Sequence, residues 1–205
     1  VAPGIDRLCG IFVARALERL GFGFEVGRGF TADELAGELG VAPKHRQVFR
    51  RMLEMLAEDG VLACSNVRWT VTQAPSAADP AEGWRALSNG YPAYLAELTY
   101  LWRCGHRLAD VLRGEVDPLH LLFPDGSLAT ADHLYQDAPI SRIYNRLAAR
   151  AVRLALSRLP EQRTVRLLEI GGGTGGMTSY VLRQLPAGQS EFVFTDVSSR
   201  FTTYA

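Results

Sequence analysis

The residues best placed to do chemistry lie in the last quarter of the chain. Glu169 stands two positions ahead of a glycine run, Gly171-Gly172-Gly173, then Thr174, then Gly175-Gly176, and Asp196 follows further on. Residues without a Cβ let a backbone turn sharply and let a ligand come close to it. A carboxylate such as Asp196 can accept hydrogen bonds from both hydroxyls of a ribose. The combination points to a cofactor that contains a nucleoside, with its sugar on Asp196.

The elements needed to position these groups are legible around them. Val165-Arg166-Leu167-Leu168-Glu169-Ile170 is a short, mostly apolar run of the kind expected of a buried parallel strand. The glycines follow at once, Met177 to Leu185 reads as a helix, and Glu191-Phe192-Val193-Phe194-Thr195 reads as a second strand ending at Asp196. This is a β-α-β unit with a glycine-rich first crossover. Ligands of such sheets bind outside the carboxyl ends of the strands, close to the free N–H groups that open the helix.

Two fingerprints overlap in the loop. Gly171, Gly173 and Gly176 satisfy GxGxxG, the dinucleotide pattern, which is weak evidence when it stands alone. Gly171, Gly173 and Gly175 together with Glu169 make ExGxGxG, with an acid where dinucleotide strands usually carry an apolar residue. The second form resembles motif I of the class I S-adenosylmethionine-dependent methyltransferases. That resemblance implies S-adenosylmethionine as cofactor, with contacts from Glu169, Gly171, Gly172, Gly173, Thr174, Gly175, Asp196 and Val197. It places Glu169 at the methionine end, the glycines beside the methionine and sulfonium, Asp196 on the ribose and Val197 beside the adenine.

A narrower resemblance runs along nearly the whole chain. Its phrases are the stretch from Leu8 to Leu17, Leu39-Gly40-Val41, and Leu56-Ala57-Glu58-Asp59-Gly60-Val61-Leu62. They continue with Leu122-Phe123-Pro124-Asp125-Gly126-Ser127-Leu128, Leu134-Tyr135-Gln136-Asp137-Ala138-Pro139, the glycine loop, and Phe194-Thr195-Asp196-Val197-Ser198. In this order they look like the C-methyltransferase domains of modular polyketide synthases. The resemblance implies a helical lid ahead of a Rossmann-like core. It also implies methyl transfer to the α-carbon of a β-ketoacyl chain held on an acyl carrier protein, with neighbouring polyketide synthase domains as further partners. The family's catalytic residues would lie beyond this stretch, so none is assigned. Two other readings stand beside it: a shortened, non-catalytic methyltransferase-like scaffold, favoured by where the sequence stops, and a small-molecule O-methyltransferase. The intact ExGxGxG and Asp196 favour the catalytic reading over the scaffold.

The expected fold class is α/β, with a mainly helical N-terminal part and the first β-α-β of a Rossmann-like core. The expected divisions are a winged-helix-like subdomain over 1–73, a helical lid and linker region over 74–160, and the start of the core over 161–205. Ile5 to Leu20 reads as an amphipathic helix stopped by Gly21, and Thr31-Ala32-Asp33-Glu34 as a capping box opening a short helix. Pro43 opens a longer helix with Val48, Met52, Leu53, Leu56 and Ala57 as its expected buried face. Two short strands follow, Val61 to Ala63 and Arg68 to Thr72, turning at Ser65-Asn66. That order is a winged helix-turn-helix, with Arg46, Arg50 and Arg51 on its second helix. A packing role is favoured over DNA binding because Glu54, Glu58 and Asp59 offset the arginines. Ala74 to Glu82 reads as a linker, and helices are expected over about Pro92 to Arg113 and Leu128 to Leu159, restarting at Ala138-Pro139. In the last of these, Ile143, Leu147, Ala151, Leu154 and Leu156 form the expected apolar face. Tyr135 and Tyr144 are expected to pack in the core rather than over the cofactor, and Trp69, Trp84 and Trp102 to be core anchors.

Composition sets the outer limits. The 205 residues carry 22 Lys and Arg against 22 Asp and Glu, a net charge of zero that argues against a nucleic acid as main partner. No apolar run reaches the ~18–20 residues that span a bilayer, so no membrane partner is expected. Cys9, Cys64 and Cys104 and the four scattered histidines show no metal-ligand spacing. No metal is therefore expected, and the cysteines suit a reduced, cytoplasmic compartment. The start at Val1, without Met or a signal-peptide pattern, suggests a piece of something longer.

Overall fold

The computed structural model describes residues 1–160 and 163–204. The chain forms two compact units, Val1–Asp125 and Gly126–Ala205.

The first unit is built from helices around a small sheet. Helix α1 (Ala2–Leu20) ends at Gly21, whose φ of 104° only a glycine adopts readily. The capping box forms: the Glu34 amide donates to the Thr31 hydroxyl and the Thr31 amide to the Glu34 carboxylate, opening α2 (Ala32–Glu38). A 3₁₀ turn over Pro43–His45 leads into α3 (Arg46–Glu58). Strands β1 (Gly29–Thr31), β2 (Leu62–Ser65) and β3 (Arg68–Val71) make an antiparallel sheet in the order β1-β3-β2. Strand β1 follows α1 in the chain and pairs with β3, and Asn66 takes the left-handed turn position between β2 and β3. Leu17, Leu35, Phe49, Leu53, Leu56 and Val71 lie at the centre of this core.

Three expectations are corrected here. The buried face of α3 runs through Phe49, Leu53 and Leu56, while Val48 is 44% exposed. Phe49 carries more apolar area than Val48, and the helix turns to bury it. The stretch from Ala74 is not all linker: α4 (Pro80–Gly90) starts inside it, because the Asp79 carboxylate caps the Ala81 amide and Pro80 suits the first helical position. The helix expected over Pro92 to Arg113 is broken into α5 (Leu95–His106) and α6 (Leu108–Arg113). Trp69 is buried, whereas Trp84 and Trp102 are half-buried; the Trp84 indole N–H donates to the Leu98 carbonyl. After α6 comes α7 (Pro118–Leu122), capped by Asp117.

Asp59 closes α3, where a negative charge opposes the helix dipole. Although Asp59 is largely exposed, partial desolvation, then the charges of Glu58 and Asp6, push its carboxyl above the usual aspartate range, with Arg7 pulling the other way. A carboxyl raised by folding costs nothing while protonated and destabilises as pH climbs past its unfolded pKa. Asp59→Asn is therefore expected to raise the melting temperature at neutral pH and to leave it unchanged near about pH 3. Thermal melts at the two pH values measure this.

The second unit begins with α8 (Ala129–Asp132) and a π-helical turn over His133–Asp137, then α9 (Pro139–Leu156). Strand β4 (Val165–Ile170), helix α10 (Gly176–Leu182), strand β5 (Ser190–Thr195) and α11 (Ser199–Tyr204) complete it. Strands β4 and β5 pair in parallel, as the β-α-β reading requires. The α9 expectation is corrected: Asn145 and Ala149 are buried, while Ile143, Leu147 and Leu154 are 56%, 55% and 53% exposed. A polar side chain sits inward because it has a partner there; the Asn145 amide donates to the Tyr135 carbonyl at 2.9 Å. Tyr135 and Tyr144 are exposed rather than packed. Strand β4 is not buried on both faces either. Leu168 and Ile170, alternating onto one face, are 62% and 82% exposed, and Val193 opposite Leu168 is exposed with them. Among the described residues, no helix is long and apolar enough to cross a membrane, and no cluster of ligating side chains is arranged for a metal.

Candidate functional site

The register of the parallel pair fixes the site. Partners run from Val165↔Ser190 to Ile170↔Thr195, so both strands end at the same level. The chain leaving β4 turns immediately beside the end of β5. The Gly171 and Gly172 amides both donate to the Thr195 carbonyl, at 2.9 and 3.0 Å. The bend then needs three left-handed residues, and it has them: φ is 73° at Gly171, 57° at Gly173 and 76° at Gly175. A side chain at any of these would be strained. A Cβ on Gly171 or Gly173 would meet nothing within 4 Å, so the outer side of the bend is open to a ligand.

Asp196 closes the arrangement. Its Oδ2 accepts from the Gly173 amide at 3.0 Å and its Oδ1 from the Ser198 amide at 2.8 Å. The second bond is an Asx turn that aims the carboxylate back across the strand ends. Each oxygen keeps acceptor capacity for one further donor, which is what a pair of ribose hydroxyls needs. Glu169 is fixed twice. Its Oε2 accepts from the Thr178 hydroxyl at 2.5 Å, and its backbone carbonyl accepts from the Thr195 hydroxyl at 2.7 Å. The Thr174 hydroxyl is buried in the loop with no hydrogen-bond partner among the described residues. A buried, unsatisfied hydroxyl is costly and suits a site completed by a polar ligand.

The residues singled out from sequence thus fall on one bend and two strand ends: Glu169, Gly171, Gly172, Gly173, Thr174 and Gly175 at the end of β4, and Asp196 at the end of β5. Val197 follows Asp196 and is fully exposed.

The structure adds residues that the sequence reading passed over. Thr178 holds Glu169, and Ser198 holds Asp196. The π-helical turn over His133–Asp137 backs the loop: a Cβ on Gly176 would sit 2.7 Å from the Tyr135 carbonyl oxygen, the same oxygen that Asn145 holds. The Tyr180 hydroxyl reaches the Gln136 carbonyl at 3.5 Å. The Asp-x-Ser sequence signals the Asx turn. The support from residues 133–145 has only a weak signal, a lone asparagine among apolar positions.

Comparison with known proteins places this geometry in context. No family model matches the chain. A non-reducing polyketide synthase, prhL of Penicillium brasilianum, is 31% identical over 211 residues, covering 100% of this chain and 8% of that protein. Among solved structures, the CurJ carbon methyltransferase superposes with a TM-score of 0.92 at 37% identity, covering 98% of this chain and 54% of that one. The CMeT domain of the citrinin polyketide synthase superposes with a TM-score of 0.84 at 25% identity, over 99% of this chain and 54% of that one. The fold is also shared by the trans-methyltransferase CalH, solved in complex with SAH, at 19% identity and a TM-score of 0.55 over 98% of this chain and 51% of that one. The chain therefore spans about half of the solved domains and a small part of the curated synthase.

Proposed function

Taking kinship with the carbon methyltransferase domains of polyketide synthases as the premise, we propose that the chain holds S-adenosylmethionine in a domain that methylates the α-carbon of a carrier-bound β-ketoacyl chain. The observation that carries the proposal is the single bend in which Asp196 is anchored by the Gly173 and Ser198 amides and the space beside Gly171 and Gly173 is open. These residues fit the cofactor. Asp196 offers acceptors for its ribose, Glu169 and the loop N–H groups suit its charged methionine end, and Thr174 has an unspent hydroxyl. When bound, the cofactor supplies an electrophilic methyl group on a sulfonium.

The chain's own residues do the positioning. The parallel register brings two carboxylates to the same end of the sheet, Glu169 opposite Phe194 and Asp196 one residue beyond the paired end; Thr178 locks the first, and the Asx turn locks the second. A nucleoside fixed at its sugar has little freedom left, and holding a methyl donor and an acceptor carbon in line removes much of the entropic barrier. None of the described residues is assigned as the base that would take the acceptor's α-proton.

Glu169→Gln keeps the shape of the side chain and removes its charge. It is expected to weaken binding of S-adenosylhomocysteine by about tenfold, the size of one charge-assisted hydrogen bond, with little change in melting temperature. Calorimetric titration of the two proteins checks it. The function itself is tested by giving the synthase module that carries this chain a β-ketoacyl carrier protein and S-adenosylmethionine. The proposal expects a product methylated on the carbon between the carbonyls. An acid-labile enol ether would instead identify an O-methyltransferase, and no methylation would support the scaffold reading.

A further inference from the structure

The second unit holds nine of the chain's arginines against six carboxylates, although the whole chain is neutral. Within α9 the imbalance is complete: Pro139–Leu156 contains Arg142, Arg146, Arg150 and Arg153 and no Asp or Glu. Their spacing of four, four and three puts them on one face, a row about 16 Å long. With Arg183, at the end of α10, they line an open groove of about 440 Å³. All five are exposed, and among the described residues none of the five side chains has an ion pair or a hydrogen bond. Arg19, Arg28, Arg51, Arg107 and Arg166 each pair with a carboxylate; among the described residues other arginines are unpaired too, and what sets the five apart is that they gather along one groove on a helix without acids.

Five guanidiniums with no counter-charge repel one another, and nothing inside the second unit is stabilised by gathering them. Their layout says what would be. A single phosphate calls for donors that converge on one point, whereas these are spread along three helical turns. The complement is a second helix with carboxylates repeating at the same three-to-four-residue spacing. Exposed charges of this kind speed association by steering and add little to residence time. A partner that must arrive with its cargo and leave in every cycle needs that behaviour.

We propose that the arginine face of α9 and α10 docks an acidic helix of the acyl carrier protein. This rests on the reading above that the acyl chain arrives on a carrier. The test measures binding of the carrier domain from the same synthase to the intact chain, by fluorescence anisotropy at low and high salt. Parallel titrations with S-adenosylhomocysteine on the same samples report on the cofactor site. The expected result is carrier binding that weakens by at least about tenfold when Arg146 and Arg150 are both changed to Glu, and that falls steeply with salt. Changing both to Gln should weaken it less, and cofactor affinity should stay unchanged. The Gln variant, with a melting curve for each protein, guards against a folding defect in the Glu variant. A carrier that does not bind, or binds the Glu variant as well as the unaltered chain, overturns the proposal. So does an equal loss from Arg51→Glu in the first unit, or a short RNA duplex that outcompetes the carrier for this face. Loss of the docking result with cofactor binding intact counts against the docking face alone, whereas absent cofactor binding counts against the methyltransferase reading.

Discussion

Asp196→Asn is expected to weaken binding of S-adenosylhomocysteine about a hundredfold, from loss of two charge-assisted hydrogen bonds worth roughly 1.5 kcal/mol each. The substitution is isosteric, and it leaves the aspartate's structural bonds partly in place. One side-chain oxygen remains to accept from either the Gly173 or the Ser198 amide. The amide NH₂ group that replaces the other oxygen is a donor and faces a backbone donor. The affinity loss should therefore come with a modest drop in melting temperature. Asp196→Ala is expected to lose more stability, because both amides lose their acceptor. Calorimetry on the three proteins separates the effects. An asparagine variant that binds within about threefold of the unaltered chain would mean that the carboxylate serves the bend alone.

Gly176→Ala should be strongly destabilising. The added Cβ would lie 2.7 Å from the Tyr135 carbonyl oxygen, which is backbone and cannot swing away as a side chain could. That oxygen is already held by the buried Asn145, so relief requires the whole turn over His133–Asp137 to move. Overpacking of this kind costs about 1–3 kcal/mol. Gly171→Ala makes a useful contrast. Its φ of 73° is unfavourable for alanine, but the space around it is open. It should therefore cost only the backbone strain, about 1 kcal/mol. Thermal or urea unfolding of the two variants gives the order, and a Gly171 variant less stable than the Gly176 variant would contradict the account.

The two variants also show where the sequence was readable. Strand β4 falls over the residues expected from the apolar run, Val165 to Ile170, and the loop glycines adopt the left-handed angles that ExGxGxG implies. Local chemistry specifies these features, because each needs only its own few residues. The capping box at Thr31 and Glu34 was legible for the same reason. Features that depend on distant partners were not. The apolar face expected for α9 is exposed, and the opposite face, where Asn145 finds an acceptor on the π-helical turn, packs inward instead. The face of α3 is set by where Phe49 can be buried rather than by the apolar count alone. The strand added by Gly29–Thr31 has no pattern of its own and exists through its pairing with β3. In the site, the glycines and both acids were legible, whereas Thr178 and the backing turn were not, since their roles appear only once α9, α10 and the loop are brought together.

The most direct measurement is the amide spectrum of the isotope-labelled chain during titration with S-adenosylhomocysteine, with NAD as the competing nucleotide. The account predicts saturable shifts concentrated at Gly171, Gly173, Gly175 and the Asp196–Ser198 turn, and none of comparable size with NAD. Shifts confined to other parts of the chain, or an equal response to NAD, would contradict it.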